Sequence, residues 1–183
     1  MRIISGKFRG RHLDTPQDKH TRPTSNRVRE SIFNVLEHGL SIKWEGLHVL
    51  DLYAGTGALG IEALSRGSAF CLFIDHHPQA IDIIKKNAAL FSHVALWKEE
   101  ATHLKPNPYS PFDVVFLDPP YRKNLVPLTL KNLISSRYLK KGSYIIIETS
   151  SQEKMDIVNS FEILKEKKYG NTNVIFSQYM GIF

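Results

Sequence analysis

The sequence predicts an α/β domain, a mostly parallel sheet covered by helices on both faces. Three observations predict it. From residue 47 onward, short apolar runs alternate with segments of helical periodicity, the pattern of parallel strands joined by crossover helices. Val49 to Gly60, VLDLYAGTGALG, carries an apolar run into a helix through a glycine-rich turn. Phe112 to Tyr121, FDVVFLDPPY, stops a second apolar run abruptly at two prolines. Ligands in such sheets bind beyond the C-terminal ends of the strands. Both turns fall at that edge.

The elements follow in order. Residues 1–13 form two short extended pieces around Gly6 and Gly10, and the polar, proline-containing stretch 14–25 is a loop. From Asn26 to His38 the apolar residues Val28, Ile32, Val35 and Leu36 mark one helical face, with Thr24 or Ser25 as cap. Leu47–Tyr53 is a buried-type strand, and a helix over Ala58–Ser65 follows the glycines directly. Ala69–Ile74 is the second strand and Pro78–Phe91 the second helix of the alternation. Val94–Trp97 and Phe112–Leu117 are further strands. Residues 124–135 form a helix, and Ser143–Glu148 is the next strand. The last extended stretches, Phe161–Lys167 and Asn173–Tyr179, are close enough in sequence to pair antiparallel.

A length of 183 residues suits a single domain, and 42% hydrophobic with 23% charged residues is ordinary for a globular chain. No apolar run approaches the roughly 20 residues that span a bilayer, and MRIISGKFRGRH lacks the apolar core of a secretory signal. A cytoplasmic location is therefore expected. Cys71, the only cysteine, stands among Phe70, Leu72 and Phe73 and reads as a small core residue. An internal disulfide is impossible. His76-His77 has no third partner in view and reads as a surface turn, so no metal is expected. Lys85 and Lys86 read as a solvated helix face.

The net charge of +6 is concentrated at one end. Residues 1–30 hold eight Lys and Arg against three acids, whereas the rest hold 16 against 15. A local basic arm of this kind suits nucleic-acid phosphates.

Gly55, Gly57 and Gly60 form a literal G-x-G-x-x-G, and Asp75 lies 20 residues past Gly55. This is the spacing of a dinucleotide site. Asp51, just ahead of the glycines, argues otherwise. A carboxylate about 4 Å from a pyrophosphate meets roughly 4 kcal/mol of repulsion per charge pair at an effective dielectric near 20. S-adenosylmethionine has no phosphate and carries an α-ammonium and a sulfonium, so the same carboxylate attracts it. Asp75 suits ribose hydroxyls in either case.

Asp118-Pro119-Pro120-Tyr121 complements that cofactor. The prolines cannot donate ladder hydrogen bonds and bias Asp118 toward an extended backbone. The 61 residues from Gly57 to Asp118 accommodate helix, strand, helix, strand and loop, which returns this turn to the cofactor edge. Asp118 and the Pro119 carbonyl can accept the two hydrogens of an exocyclic amino group, and Tyr121 can stack on its base. Direct in-line methyl transfer follows, with no covalent enzyme intermediate.

Taken together, MRIISGKFRGRHL, TRPTSNRVRESIFNVL, VLDLYAGTGALGIEALSRG, FDVVFLDPPY and KKYGNT resemble the bacterial RsmD-type enzymes, which methylate the N2 of a guanine in 16S ribosomal RNA. The resemblance runs nearly end to end, and the two N-terminal segments narrow it beyond other amino-methyltransferases. It implies a class I, Rossmann-like methyltransferase fold. This has a seven-stranded, mostly parallel sheet with the last strand antiparallel, plus a small N-terminal β-hairpin. It implies an RNA-binding extension over residues 1–25 and a methyltransferase domain over 26–183. Asp51, Ala54, Gly55 and Gly57 match the methionine-end motif, Asp75 the ribose acid, and Asp118, Pro119, Pro120 and Tyr121 the catalytic turn. Relatives carry Asp-Ala after the third strand where this chain reads Glu99-Glu100-Ala101. Glu100 is assigned to the adenine amino group and Ala101 to a backbone contact. Arg2, Lys7, Arg9, Arg11, Arg22 and Arg27 would contact phosphates, and Arg29 would do the same or pair with Glu30 or Glu37. The implied substrate is an assembled or assembling small subunit, met by a monomer.

Three rivals remain at this stage. An N6-adenine DNA methyltransferase shares Asp-Pro-Pro-Tyr but usually carries extra target-recognition sequence. Protein glutamine methylation has no evident use for the basic arm. A ribosome-assembly binding factor would use the arm without needing Asp118.

Overall fold

Residues 1–16, 26–120, 124–152 and 159–181 are described by a computed structural model. Seven strands form one sheet. They are β1 (His48–Leu52), β2 (Phe70–Asp75), β3 (Val94–Lys98), β4 (Phe112–Leu117), β5 (Leu139–Ser150), β6 (Phe161–Tyr169) and β7 (Thr172–Tyr179). Their order in space is β3-β2-β1-β4-β5-β7-β6. β3, β2, β1, β4 and β5 are parallel neighbours. β7 alone runs against both β5 and β6. The expected α/β class and antiparallel last strand are therefore present.

The helices are α1 (Asn26–Asn34), α2 (Ala58–Arg66), α3 (Pro78–Asn87) and α4 (Leu125–Ser135). Strand alternation assigns them to faces, because successive side chains point opposite ways. Val49, Phe73, Val114, Phe116, Ile146, Val174 and Phe176 form one core with Ile32 and Phe33 of α1, Ile61 of α2 and Ile84 of α3. Leu50, Leu52, Leu72, Ile74, Val115, Leu117, Ile145 and Ile147 form the other with Val126, Leu130 and Leu133 of α4. Chain order reverses direction between β1 and β4, which makes their C-terminal ends the switch point where a crevice opens.

Two local departures from the sequence expectation have physical causes. The first helix ends at Asn34 and continues as a π turn over Val35–Gly39, where Leu40 N–H donates to the Val35 carbonyl at 2.9 Å. Its expected caps, Thr24 and Ser25, lie outside the described residues. β5 starts four residues earlier than Ser143. Phe112 pairs with Leu139 and Val114 with Tyr144, so the chain bulges between. Ser143 closes that bulge: its Oγ donates to the Phe112 carbonyl at 2.7 Å and accepts from Lys140 N–H at 3.0 Å.

The N-terminal arm is a small antiparallel hairpin lying on α2 and α3. Arg2 bridges His12, and Ile3 N–H and Leu13 N–H donate to the carbonyls of Arg11 and Met1, each at 2.9 Å. Ile3 and Leu13 are buried in the α2/α3 core. The Glu62 carboxylate accepts from Ile4 N–H at 2.8 Å and Ser5 N–H at 2.9 Å. Lys7 N–H donates to the Ser65 carbonyl, and Phe8 meets Phe91 edge-on.

Arg29 differs from expectation. It is fully buried, with its guanidinium donating to the Arg2 carbonyl and to Asn26 Oδ1. Its acidic neighbour is Glu62, 4.0 Å away, rather than Glu30 or Glu37. Burial lowers its pKa, against the pull of Glu62. The residue locks arm to helix and has no face for a phosphate. Glu37 instead pairs with Arg66 at 2.8 Å and accepts from the Trp44 indole at 2.8 Å.

Candidate active site at the ends of β1, β2 and β4

β1 ends at Leu52 and the chain turns sharply. Tyr53 adopts a left-handed φ of 56°, and Gly55 and Gly57 follow at 56° and 74°. Gly57 N–H donates to the Ala54 carbonyl at 2.7 Å, closing the turn, and Ala54 N–H donates to the Ile74 carbonyl at 3.2 Å, tying it to β2. Gly57 has little room for a side chain, since a Cβ there would lie 3.3 Å from Ile61, Ile84 and Phe73. The turn is thus pressed against α2 and α3, with its backbone toward the crevice.

Three buried side chains hold the turn. Asp75, at the tip of β2, accepts Gly55 N–H at 2.9 Å through one oxygen and His77 N–H at 2.8 Å through the other. Asp51 accepts Gly60 N–H at 2.9 Å. Asn87 donates to the Thr56 carbonyl at 3.0 Å.

Asp51 is not the open carboxylate that the sequence argument used. It is 2% exposed, beneath the turn. Burial pushes its carboxyl up to about 8, with the Gly60 amide opposing and Asp75 adding to the rise. At neutral pH it is mostly protonated, so the charge argument against a pyrophosphate loses force until a cation sits beside it. Asp75 does stand at the crevice edge, beside the turn.

The third strand brings Glu99 and Glu100 to the same edge. Glu99 N–H donates to the Asp75 carbonyl at 3.1 Å. Burial raises the pKa of the Tyr53 phenol, its hydrogen bond to Thr129 opposes the rise, and the exposed Glu100 nearby adds to it. Ala101 is buried. Glu99 turns inward. Its Oε1 meets Lys105 Nζ at 2.6 Å, and its Oε2 is buried with no hydrogen-bond partner among the described residues. Two adjacent acids carry no periodic signal that tells which one turns inward.

β4 delivers the proline turn beside the glycine turn. Leu52 and Leu117 are register partners, and Asp118 N–H points at the Leu52 carbonyl, 3.5 Å away. Asp118 is half-buried, Pro119 buried and Pro120 exposed. Tyr121 lies outside the described residues, as does Arg22. Tyr53 is a member of this edge that the motifs did not single out. Its hydroxyl bonds Thr129 Oγ1 of α4 at 2.7 Å, tying the start of the turn to α4 on the same face of the sheet. Its only sequence signal is an aromatic ahead of the glycines.

The arm's cations divide by position. Arg2, Lys7, Arg9 and Arg11 are exposed on the hairpin, and Arg27 is exposed at the start of α1. Lys7 meets the C-terminal end of α2, eight residues along the chain from Gly57 at its Ser65 partner. Among the described residues no group of three or more His, Cys, Asp or Glu is placed to hold a metal ion. No described helix is long and apolar enough to cross a membrane.

Strand order, the single antiparallel strand and the crevice between β1 and β4 together define a class I methyltransferase fold, shared with solved methylase structures. The chain belongs to the family described as Conserved hypothetical protein 95, whose pattern matches residues 1–178. An Escherichia coli protein named ribosomal RNA small subunit methyltransferase D is 32% identical to it, over 93% of this chain and 85% of that one. A Bacillus subtilis protein, YlbH, provisionally named an rRNA methyltransferase, is 34% identical over 99% of this chain and 100% of its own. The solved structure of yhhF from Escherichia coli, provisionally named a methyltransferase, superposes with a TM-score of 0.84. It is 28% identical, with 98% of each chain covered.

Proposed function

We propose that this protein is an S-adenosylmethionine-dependent methyltransferase that modifies the exocyclic N2 of one guanine in 16S rRNA of the small ribosomal subunit. The observation that carries the reading is the adjacency of Asp118-Pro119-Pro120 and the glycine turn at the ends of two paired strands. Family membership and the names of the relatives support the substrate class. The basic arm supports a nucleic-acid partner.

The residues at the edge fit the cofactor's chemistry. Gly55 and Gly57 present backbone to the methionine end with Ala54. Asp75 keeps lone pairs for ribose hydroxyls beside its two amide bonds. Glu100 would accept the adenine amino group, and Ala101 would supply a backbone contact. Asp51, once a cationic group lowers its carboxyl from about 8, becomes the counter-charge to the α-ammonium. The cofactor supplies an electrophilic methyl group on a sulfonium.

The protein's work is placement. Asp118 and the Pro119 carbonyl accept the two N–H hydrogens of the guanine amine. This orients the amine for in-line attack and stabilises the positive charge that grows on it, which is discharged when one of the two N–H protons leaves through Asp118 to solvent. Pro119 and Pro120 keep the turn stiff, and Tyr121 stacks on the unstacked base. Arg2, Lys7, Arg9, Arg11, Arg22 and Arg27 neutralise phosphates and fix register. Residues 1–25 act as the RNA-binding extension of a monomeric enzyme whose methyltransferase domain is 26–183. No metal takes part.

The test is methyl transfer to small subunits from cells lacking the enzyme, followed by digestion to nucleosides and mass spectrometry. New N2-methylguanosine is the expected product. No methylguanosine, with S-adenosylmethionine bound normally, would refute the substrate assignment and point to DNA adenine or protein glutamine.

A further inference from the structure

Asn87 is the last residue of α3 and is 7% exposed. Its amide is used in three directions. Nδ2 donates to the Thr56 carbonyl at 3.0 Å and to the Asp14 carbonyl at 3.0 Å, and Oδ1 accepts Asp14 N–H at 2.7 Å. The three bonds fix the amide's orientation, since a flip would set Oδ1 against two carbonyl oxygens. Thr56 stands between Gly55 and Gly57, and Asp14 closes the N-terminal arm. The two segments are held by one side chain from a third.

Asn87 differs in this from the other two anchors of the turn. Asp51 anchors the first turn of α2 from β1, and Asp75 the glycine turn from β2. Neither bonds the described residues of the arm. α3 itself is pressed on the turn at Ile84, 3.3 Å from an ideal Cβ on Gly57. A shift of the Asp14 peptide therefore cannot leave the Asn87 amide where it is without breaking a half-buried bond, and the same amide sets the Thr56 peptide through a buried one.

We propose that Asn87 is a positioning residue that couples the N-terminal arm to the cofactor turn. Docking of the arm sets the Thr56 peptide in its cofactor-ready orientation, and an occupied turn firms the arm in return, as coupling requires. The inference rests on the reading that the glycine turn holds S-adenosylmethionine.

The experiment is calorimetric titration of the full-length chain with S-adenosylhomocysteine, with thermal melting to confirm folding. Asn87→Ala weakens binding about tenfold or more. Asp14→Pro removes the arm's N–H donor to Asn87, along with the exposed Asp14 carboxylate and some backbone freedom at residues 13 and 14, and touches nothing at the crevice, yet weakens binding at least threefold or so. Phe8→Leu loosens the arm at Phe91 without reaching Asn87. It lowers the melting temperature and leaves the affinity unchanged. An unchanged affinity for Asn87→Ala or for Asp14→Pro overturns the coupling. A loss in Phe8→Leu equal to that in Asp14→Pro overturns it too, because loosening the arm anywhere would then suffice. No binding by the unaltered chain would instead sink the cofactor reading, and this inference with it.

Discussion

Replacing Asp51 by Asn gives a direct measure of the carboxyl buried under the glycine turn. Asn can still accept the Gly60 N–H, so the turn keeps its anchor. In the unfolded chain Asp51 ionises near 3.8, and in the folded protein near 8. Between those values the folded state holds one proton more than the unfolded state. Its stabilising contribution is then full below the lower value and lost as pH rises through the upper one. Wild-type stability, relative to Asp51→Asn, falls by about 1.4 kcal/mol per pH unit across that window. From roughly pH 5 to pH 8 the loss approaches 4 kcal/mol, a large share of the 5–15 kcal/mol typical of a domain. Urea unfolding of both proteins at each pH reads the difference. A difference constant from pH 5 to 8 would refute the reasoning, because it would mean that Asp51 is already ionised in the folded protein.

Other outcomes follow from the same geometry. Binding of an α-ammonium beside Asp51 at neutral pH releases protons, seen as a binding heat that varies with the buffer's ionisation enthalpy. No buffer dependence removes Asp51 from that contact. Asp118→Ala lowers turnover by about 100-fold or more, while S-adenosylhomocysteine affinity stays within a factor of about two. Loss of that affinity in a folded variant would contradict the assigned role. Changing Lys7, Arg9 and Arg11 together to Ala weakens RNA binding and flattens the plot of log affinity against log salt by up to about three units. An unchanged slope would exclude the arm from phosphate contact. Gly60→Ala puts a methyl group 2.4 Å from the Phe73 ring and 2.6 Å from Cys71 Sγ. It destabilises by about 1–3 kcal/mol, and an unaltered melting temperature would show that the strand–helix approach is not tight.

The sheet was legible because its strands are apolar runs closed by glycines and prolines, and such runs need no knowledge of their neighbours. The crevice was legible for the same reason, since β1 and β4 each announce their ends. What escaped were contacts that join distant segments through one side chain. Glu62 meets Ile4 and Ser5 across 58 and 57 residues, and Asn87 meets Asp14 across 73. Such pairs have no period and no local signature. Arg29 was misread for a related reason. An arginine beside Arg27, Glu30 and Ser31 reads as solvent-facing, while the arm that covers it lies 27 residues away. Asp51 was placed at the right edge, but a strand carboxylate flanked by Leu50 and Leu52 gives no sign of how deeply the following turn will cover it.

β6 lies at one rim of the sheet, and its pairing with β7 slips between Ile163 and Lys165. Ile163 and Leu164 are exposed there, at 46% and 36%, which would invite a strand from a second copy. The slip breaks the regular spacing of outward N–H and C=O groups at that point, and Lys165, Lys167 and Lys168 follow at once. A second molecule presenting the same strand would meet a kinked ladder beside a mostly basic flank, its lysines interrupted by Glu166. An irregular ladder and exposed lysines are the devices by which an edge strand is blunted against addition of another strand.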